Sequence, residues 1–174
     1  MRFTKKATLN ASEEKVWNVF AHDFDNAHVW MASVPNSYAK ANGEEFDGAQ
    51  SAGRVCELNG PKGIKASEQF LAYDEAAKTC TIQIDFVDTP FMFPVVRNTV
   101  DVSVVDAGNG QCEMTWGFRS QIKPLAYLMW PLLRLGFGVF IGQIVEELKF
   151  YVENDSPHPR KLKANKKAEL SASA

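Results

Sequence analysis

Residues 124–154 constrain the fold more than any other stretch. They carry the longest helix-like pattern in the chain, and their first two-thirds, PLAYLMWPLLRLGFGVFIGQIV, are almost apolar enough for a membrane interior. Nearly everything upstream, from Ala7 to Arg119, reads as short strands plus one early helical region. A sheet with one wet face and one dry face needs a cover, and one long apolar helix supplies it. The question is whether the excess apolarity serves a core, a ligand or a bilayer.

Stepped at ~100° per residue, Phe137, Phe140, Ile141, Ile144, Val145, Leu148, Tyr151 and Val152 share one broad face. Gly138, Gly142, Glu146, Lys149 and Glu153 fall opposite, and Phe150 breaks the pattern. Pro131 is expected to divide an apolar lead-in, Leu125 to Trp130, from an amphipathic helix starting near Gly136. Residues 125–145 have the ~20-residue length of a membrane span. Arg134 near their middle costs ~2.5–3.5 kcal/mol on insertion scales, and Gln143 and several glycines weaken the segment further. Peripheral contact fits better: from Leu125 to Leu133 the side chains of Tyr127, Met129, Trp130 and Leu133, flanked by Lys123 and Arg134, form an interfacial patch. After Asn154 apolar periodicity stops. Residues 155–174 therefore read as a disordered basic tail outside a single domain of residues 1–154. Its Arg160, Lys161, Lys163, Lys166 and Lys167 could add ~1 kcal/mol each of attraction to anionic lipid, although a solubilising tail is the plainer reading.

Upstream, Phe3, Ala7 and Leu9 alternate with polar residues as a first strand. Ser12 is a candidate helix cap, with Glu13 and Glu14 in the first turn, where carboxylates suit the helix dipole. Val16, Trp17, Val19 and Phe20 give the apolar face of a helix to about Ala21, and a second helical piece spans about Phe24 to Met31. Weaker strand patterns lie at residues 37–41 and 52–58, and a good one at 65–74. Cys80, Ile82, Ile84 and Phe86 alternate cleanly, as do Val100, Val102 and Val104, and Cys112, Met114, Trp116 and Phe118. Such period-two runs predict an antiparallel sheet with one buried face. The turns agree, at Asn59-Gly60, residues 74–78 and residues 107–110.

At 174 residues the chain is long enough for a sizeable core. A formal net charge of −2 gives no reason to expect nucleic acid. Cys56, Cys80 and Cys112, odd in number and widely spaced, argue against disulfides and zinc, and their strand positions read as buried hydrophobes. MRFTKKATLNAS has no apolar signal core, so the expected compartment is the cytoplasm. His22 and His28, six apart around a helix break, suit surface or capping roles rather than a metal. There is no G-x-S-x-G, Walker A or GxGxxG motif, so neither an esterase elbow nor nucleotide binding has support, and no cofactor is expected.

Several local patterns carry a resemblance. Ala11 to Trp17 resembles the lead into the first helix of the START/Bet v 1-like superfamily, in its polyketide cyclase/dehydrase-like group. Asp23 to Trp30 is similar to its second helix, which commonly ends on Trp. Gly53-Arg54-Val55 resembles the start of a central strand, Ser67 to Asp74 the strand after it, and Pro94 to Asn98 and Glu113 to Trp116 the last two strands. The resemblance covers residues 2–153. It implies an α+β helix-grip fold: a curved antiparallel sheet of about seven strands around a long C-terminal helix, with two short helices after the first strand. That fold would bring Trp30, Phe70, Phe86, Phe91, Phe93, Met114, Trp116, Phe118, Phe137 and Ile141 to one cavity. Access would pass the loop at residues 88–94 and the lead-in. The expected ligand is a small hydrophobic molecule, such as a lipid, quinone, polyketide or other aromatic, oriented by Arg54, Glu68, Arg97 or Tyr73. An enzyme of cyclase or dehydratase type would use Glu68 as acid or base and Arg54 as stabiliser. A peripheral membrane or partner-binding protein is the third reading. Parity leaves the Arg54–Glu68 pair undecided, and the plainer reading is a cross-strand salt bridge on the wet face.

Overall fold

A computed structural model describes residues 2–59 and 63–172, with the side chains of Leu125, Met129, Trp130, Ser171 and Ala172 outside the description. The alternating runs become strands β1 (Arg2–Leu9), β2 (Asn36–Ala39), β3 (Gly53–Glu57), β4 (Lys65–Asp74), β5 (Thr79–Val87), β6 (Val95–Gly108) and β7 (Gln111–Ile122). They form one sheet in the order β1-β7-β6-β5-β4-β3-β2, with every pairing antiparallel. Pairing of the first strand with the last leaves β1 and β2 as the edges.

Helix α1 (Glu13–Trp17) starts where Ser12 Oγ accepts from the Lys15 N–H at 3.3 Å. It runs on through a π-helical turn, Asn18–His22, and a 3₁₀ segment, Phe24–Val29. These turns bury Val16, Trp17, Phe20, Phe24 and Ala27 against one end of the sheet. The hairpin turns carry their expected residues. The Ala77 N–H donates to Asp74 Oδ1 at 2.9 Å, and Gly108, Asn109 and Gly110 all take positive φ. Of the expected Asn59-Gly60 turn, Gly60 lies outside the described residues.

The C-terminal region differs from expectation in two ways. Pro131 does not divide it. A 3₁₀ turn, Pro124–Met129, leads into a continuous helix α2 (Trp130–Asn154), and Pro131 sits in its first turn, where its missing N–H costs nothing. The tail is not disordered either, because residues 159–172 form helix α3 (Pro159–Ala172). Its anchors are polar, which is why apolar periodicity does not reveal it. Lys161 is 2% exposed and its Nζ donates to the Val34 carbonyl at 2.8 Å. Arg160 reaches the carboxylates of Glu147 at 2.9 Å and Glu146 at 2.8 Å. Phe150, the residue that broke the helix pattern, meets His158 edge-on at 5.1 Å between centroids. Burial pushes the Lys161 pKa below the ordinary lysine value, with Glu147 opposing it.

Val145, Leu148 and Val152 on α2 pack into the core with Val102, Val104 and Met114 of the sheet. The first half of α2 is more open. Ile141 is buried, Phe137 and Ile144 are half-buried, and Phe140 is 43% exposed. Among the described residues no helix is long and apolar enough to cross a membrane.

Candidate ligand-binding site

Between the concave face of the sheet and the first half of α2 lies a cavity of about 430 Å³. Its floor comes from the inward positions of the strands: Ala66 and Glu68 on β4, Ile82, Ile84 and Phe86 on β5, Asn98 and Val100 on β6, and Trp116 and Phe118 on β7. Phe20, Trp30, Met31 and Val34 close the helical end, and Phe137, Ile141 and Ile144 form the roof. Phe93 and Pro94, from the loop between β5 and β6, and Leu132 and Leu133 stand at the other end. A volume of this order is that of a small-molecule pocket.

Of the ten aromatic or apolar residues expected to line the cavity, seven do so and three do not. Trp30, Phe86, Phe93, Trp116, Phe118, Phe137 and Ile141 line the cavity, as do Arg54 and Glu68. Phe86 and Phe93 meet with tilted rings at 5.1 Å between centroids, and Phe118 meets Phe137 edge-on at 5.4 Å. Phe70 does not reach it, because it is fully buried between Phe24, at 4.5 Å, and Tyr73, at 5.1 Å. Met114 lies deeper in the core, fully enclosed. Phe91 points away at 80% exposure, and the Lys123 Nζ donates to its carbonyl at 2.9 Å. Arg97 has outward parity and pairs with Asp85 on the other face of the sheet. Tyr73 donates to Glu75 at 2.7 Å, outside the cavity.

The Arg54–Glu68 pair is not the solvated cross-strand bridge of the plainer sequence reading. The two residues are register partners on β3 and β4, and their side chains are 5% and 9% exposed. Glu68 Oε2 accepts from Arg54 Nε at 2.9 Å and lies 2.8 Å from NH2. NH1 donates to the Phe24 carbonyl at 2.7 Å, and the guanidinium lies 4.1 Å from the centre of the Phe24 ring. Burial works against the Arg54 charge, but the Glu68 carboxylate, joined by Cys56 and Asp25, holds the pKa above the ordinary arginine value. The neighbouring Cys56 thiol is pushed up to about 12, first by burial and against the pull of Arg54, so it is not an activated nucleophile.

Two polar lining residues escaped the sequence reading. Asn98 is 5% exposed and its Oδ1 has no hydrogen-bond partner, nor has the buried Oγ of Ser33. Extending the Val104, Val102, Val100 alternation back one step places Asn98 on the inner face, so the signal for it was present. Register then aligns Arg54, Glu68, Ile84 and Asn98 as one row across β3, β4, β5 and β6. Among the lining residues only Ser33, Arg54, Glu68 and Asn98 carry a hydroxyl, carboxamide or charged side chain. Among the described residues no group of three or more His, Cys, Asp or Glu side chains could hold a metal ion.

A long helix laid over a curved antiparallel sheet, with an apolar cavity between them, defines a helix-grip protein. The chain belongs to the family of polyketide cyclases/dehydrases and lipid-transport proteins, which it matches over residues 1–153. Among solved structures it is similar to a START superfamily protein from Mycobacterium smegmatis, with a TM-score of 0.70 and 13% identity over 89% of this chain and 99% of that one. Ara h 8.0201 has a TM-score of 0.61 at 14% identity, over 87% and 97% of the two chains. Norcoclaurine synthase from Thalictrum flavum has a TM-score of 0.59 at 13% identity, over 88% and 87%. Identities this low establish a shared fold and no more. No curated protein matches the chain in sequence.

Proposed function

We propose that this protein binds a small hydrophobic molecule in the cavity between sheet and α2. The observation that carries the reading is the cavity itself: about 430 Å³, walled almost wholly by aliphatic and aromatic side chains, with its polar groups confined to a few positions. Packing such a space with side chains instead would stabilise a dry core by on the order of 10 kcal/mol, comparable with the whole stability of a domain. Burial of apolar ligand surface supplies affinity, and the row from Arg54 to Asn98 fixes orientation. Access passes between the β5–β6 loop, with Phe93, and the first turns of α2, with Leu132 and Leu133. The exposed Phe91, Met92, Leu128 and Leu132 beside this mouth would be the surface that meets a bilayer.

The test is native mass spectrometry of the purified protein alongside an Ile84→Trp variant, whose indole occupies the middle of the cavity floor. Release of an apolar small molecule from the wild type, and its absence from a folded variant, is the expected result. Equal retention by both would place the ligand elsewhere. A second reading, a cyclase- or dehydratase-type enzyme, draws on one observation: Glu68 faces the cavity and not solvent. It requires that Glu68→Gln abolish turnover of a bound polyketide-like substrate while leaving its binding intact.

A further inference from the structure

We propose that the molecule this cavity takes is neutral and carries a hydroxyl group, as an alcohol or phenol does, and is not a carboxylate; the proposal rests on the ligand-binding reading above. The polar groups of the wall decide this. Arg54 is the one cation among the lining residues that reaches the cavity floor, and its Nε, NH1 and NH2 are already engaged by Glu68 and the Phe24 carbonyl. A ligand carboxylate would find no uncommitted cation there. It would also stand beside Glu68, with like charges meeting where little water screens them.

Asn98 asks for a different group. It is 5% exposed, lines the cavity, and its Oδ1 accepts from nothing; that oxygen is itself shut off from the open space, so the carboxamide turns about its soft terminal torsion to present it to a ligand. A buried amide oxygen left unpaired is costly, so a ligand that donates to it gains on binding. Register sets Asn98 two strands from Glu68, ~10 Å across the floor, with Ile84 between them. A head group placed at Asn98 is thereby held clear of the Arg54–Glu68 pair while its apolar body lies along Ile84, Phe118 and Phe137. A hydroxyl both donates and accepts, so it serves either end of the Asn98 carboxamide. An ether or ester oxygen accepts only, and a carboxylate does the same with a charge added.

Three aromatic probes of one shape separate these cases: 2-naphthol, 2-methoxynaphthalene and 2-naphthoate, each displacing the neutral dye Nile red at about pH 7, where the naphthol is uncharged and the naphthoate ionised. We expect 2-naphthol to bind about tenfold more tightly than either of the others. In Asn98→Leu the naphthol should fall to the affinity of 2-methoxynaphthalene, whose own affinity stays unchanged. Naphthoate binding as tightly as naphthol, or naphthol and methoxynaphthalene agreeing within about twofold in the wild type, overturns the proposal without recourse to any variant. Dye that binds but yields to none of the probes overturns it too, and leaves the ligand-binding reading standing. Failure of the wild type to bind dye or probe removes that reading itself.

Discussion

Removing either member of the Arg54–Glu68 pair should be far worse than removing both. In Arg54→Met the Glu68 carboxylate keeps its place, 9% exposed, with no cation within reach. Stranding one partner of a buried pair costs about 3–5 kcal/mol. The pair borders a cavity and not a solid core, so some water can reach it, and the lower end of the range, about 3 kcal/mol, applies. Glu68→Gln keeps an acceptor for Arg54 Nε, and the Phe24 carbonyl still holds NH1 at 2.7 Å, so about 2 kcal/mol is expected. The double variant Arg54→Met/Glu68→Leu buries no charge and should lie within about 1 kcal/mol of the wild type. The implied coupling is about 4 kcal/mol and favours the pair over either orphan.

Urea denaturation reads this directly. With a slope of about 2 kcal/mol/M, Arg54→Met should shift the midpoint down by about 1.5 M, whereas the double variant should unfold within about 0.5 M of the wild type. Thermal midpoints should follow at roughly 2–4 °C per kcal/mol. A double variant no more stable than the weaker single would refute the reasoning, since it would mean that the side chains matter by shape and not by charge. So would two harmless singles, which would place the pair in water.

The remaining expectations concern other parts of the fold. Burial would raise the Glu75 pKa, but hydrogen bonds from Trp17, Tyr73, His22 and Lys78 bring it down from 4.5 to about 2. A depressed carboxylate pKa stabilises above the unfolded value and loses that contribution as pH falls, so the wild type should lose about 1 kcal/mol relative to Glu75→Gln between pH 4.5 and 2, after allowance for a side chain 35% exposed. Lys161 has the opposite sign: a lysine depressed by burial makes the unfolded state the better proton binder, so wild-type stability should rise relative to Lys161→Met as pH climbs from neutral towards 10.5. Gly53 takes φ +156°, and a Cβ there would lie 2.3 Å from the Glu68 carbonyl oxygen, so Gly53→Ala should cost about 2–3 kcal/mol by denaturation and weaken ligand binding by shifting Arg54 against Glu68. Leu132, 64% exposed at the mouth, and Leu128, 87% exposed in the turn before it, should carry the protein onto anionic vesicles in a flotation assay, and Leu128→Glu/Leu132→Glu should abolish this; equal flotation of the variant would exclude these side chains as the contact.

The strands were legible because one face of the sheet is dry and the other wet, so burial imposes a period of two on β5, β6 and β7. The facing of β4 was not legible. A register shift between Phe70 and Ala72 lets Phe70 and Tyr73, of opposite parity, contact each other at 5.1 Å. Alternation alone therefore gives conflicting answers for Glu68. Charged residues that are buried were invisible for a related reason. Glu147 is 2% exposed on α2, and its partners are the Ala32 N–H, at 2.9 Å, and Arg160, neither of which a hydrophobic periodicity encodes. The same holds for α3, whose docking depends on Lys161 and Arg160 and not on an apolar stripe. Of the five cations assigned to a lipid-attracting tail, these two are therefore structural.

The near-membranous look of residues 124–145 has a geometric origin. A cover helix over a solid core needs one apolar stripe, and the second half of α2 has one, with Val145, Leu148 and Val152 buried. The first half borders an open cavity and is apolar on two sides. Phe137, Phe140 and Ile141 face the cavity, while Leu135 and Val139 are 67% and 56% exposed. A soluble helix gains nothing by holding that second face in water, because each exposed aliphatic side chain forgoes about 1.5–3 kcal/mol of burial. Arg134 stands among these residues, and the next acidic residue along the helix is Glu146. An apolar face with a cation and no carboxylate on the same stretch of helix suits the chemistry of an anionic headgroup layer. On the proposed function, the two apolar sides of α2 would serve one route, by which a hydrophobic molecule leaving a bilayer at the outer face reaches the inner one without crossing bulk water.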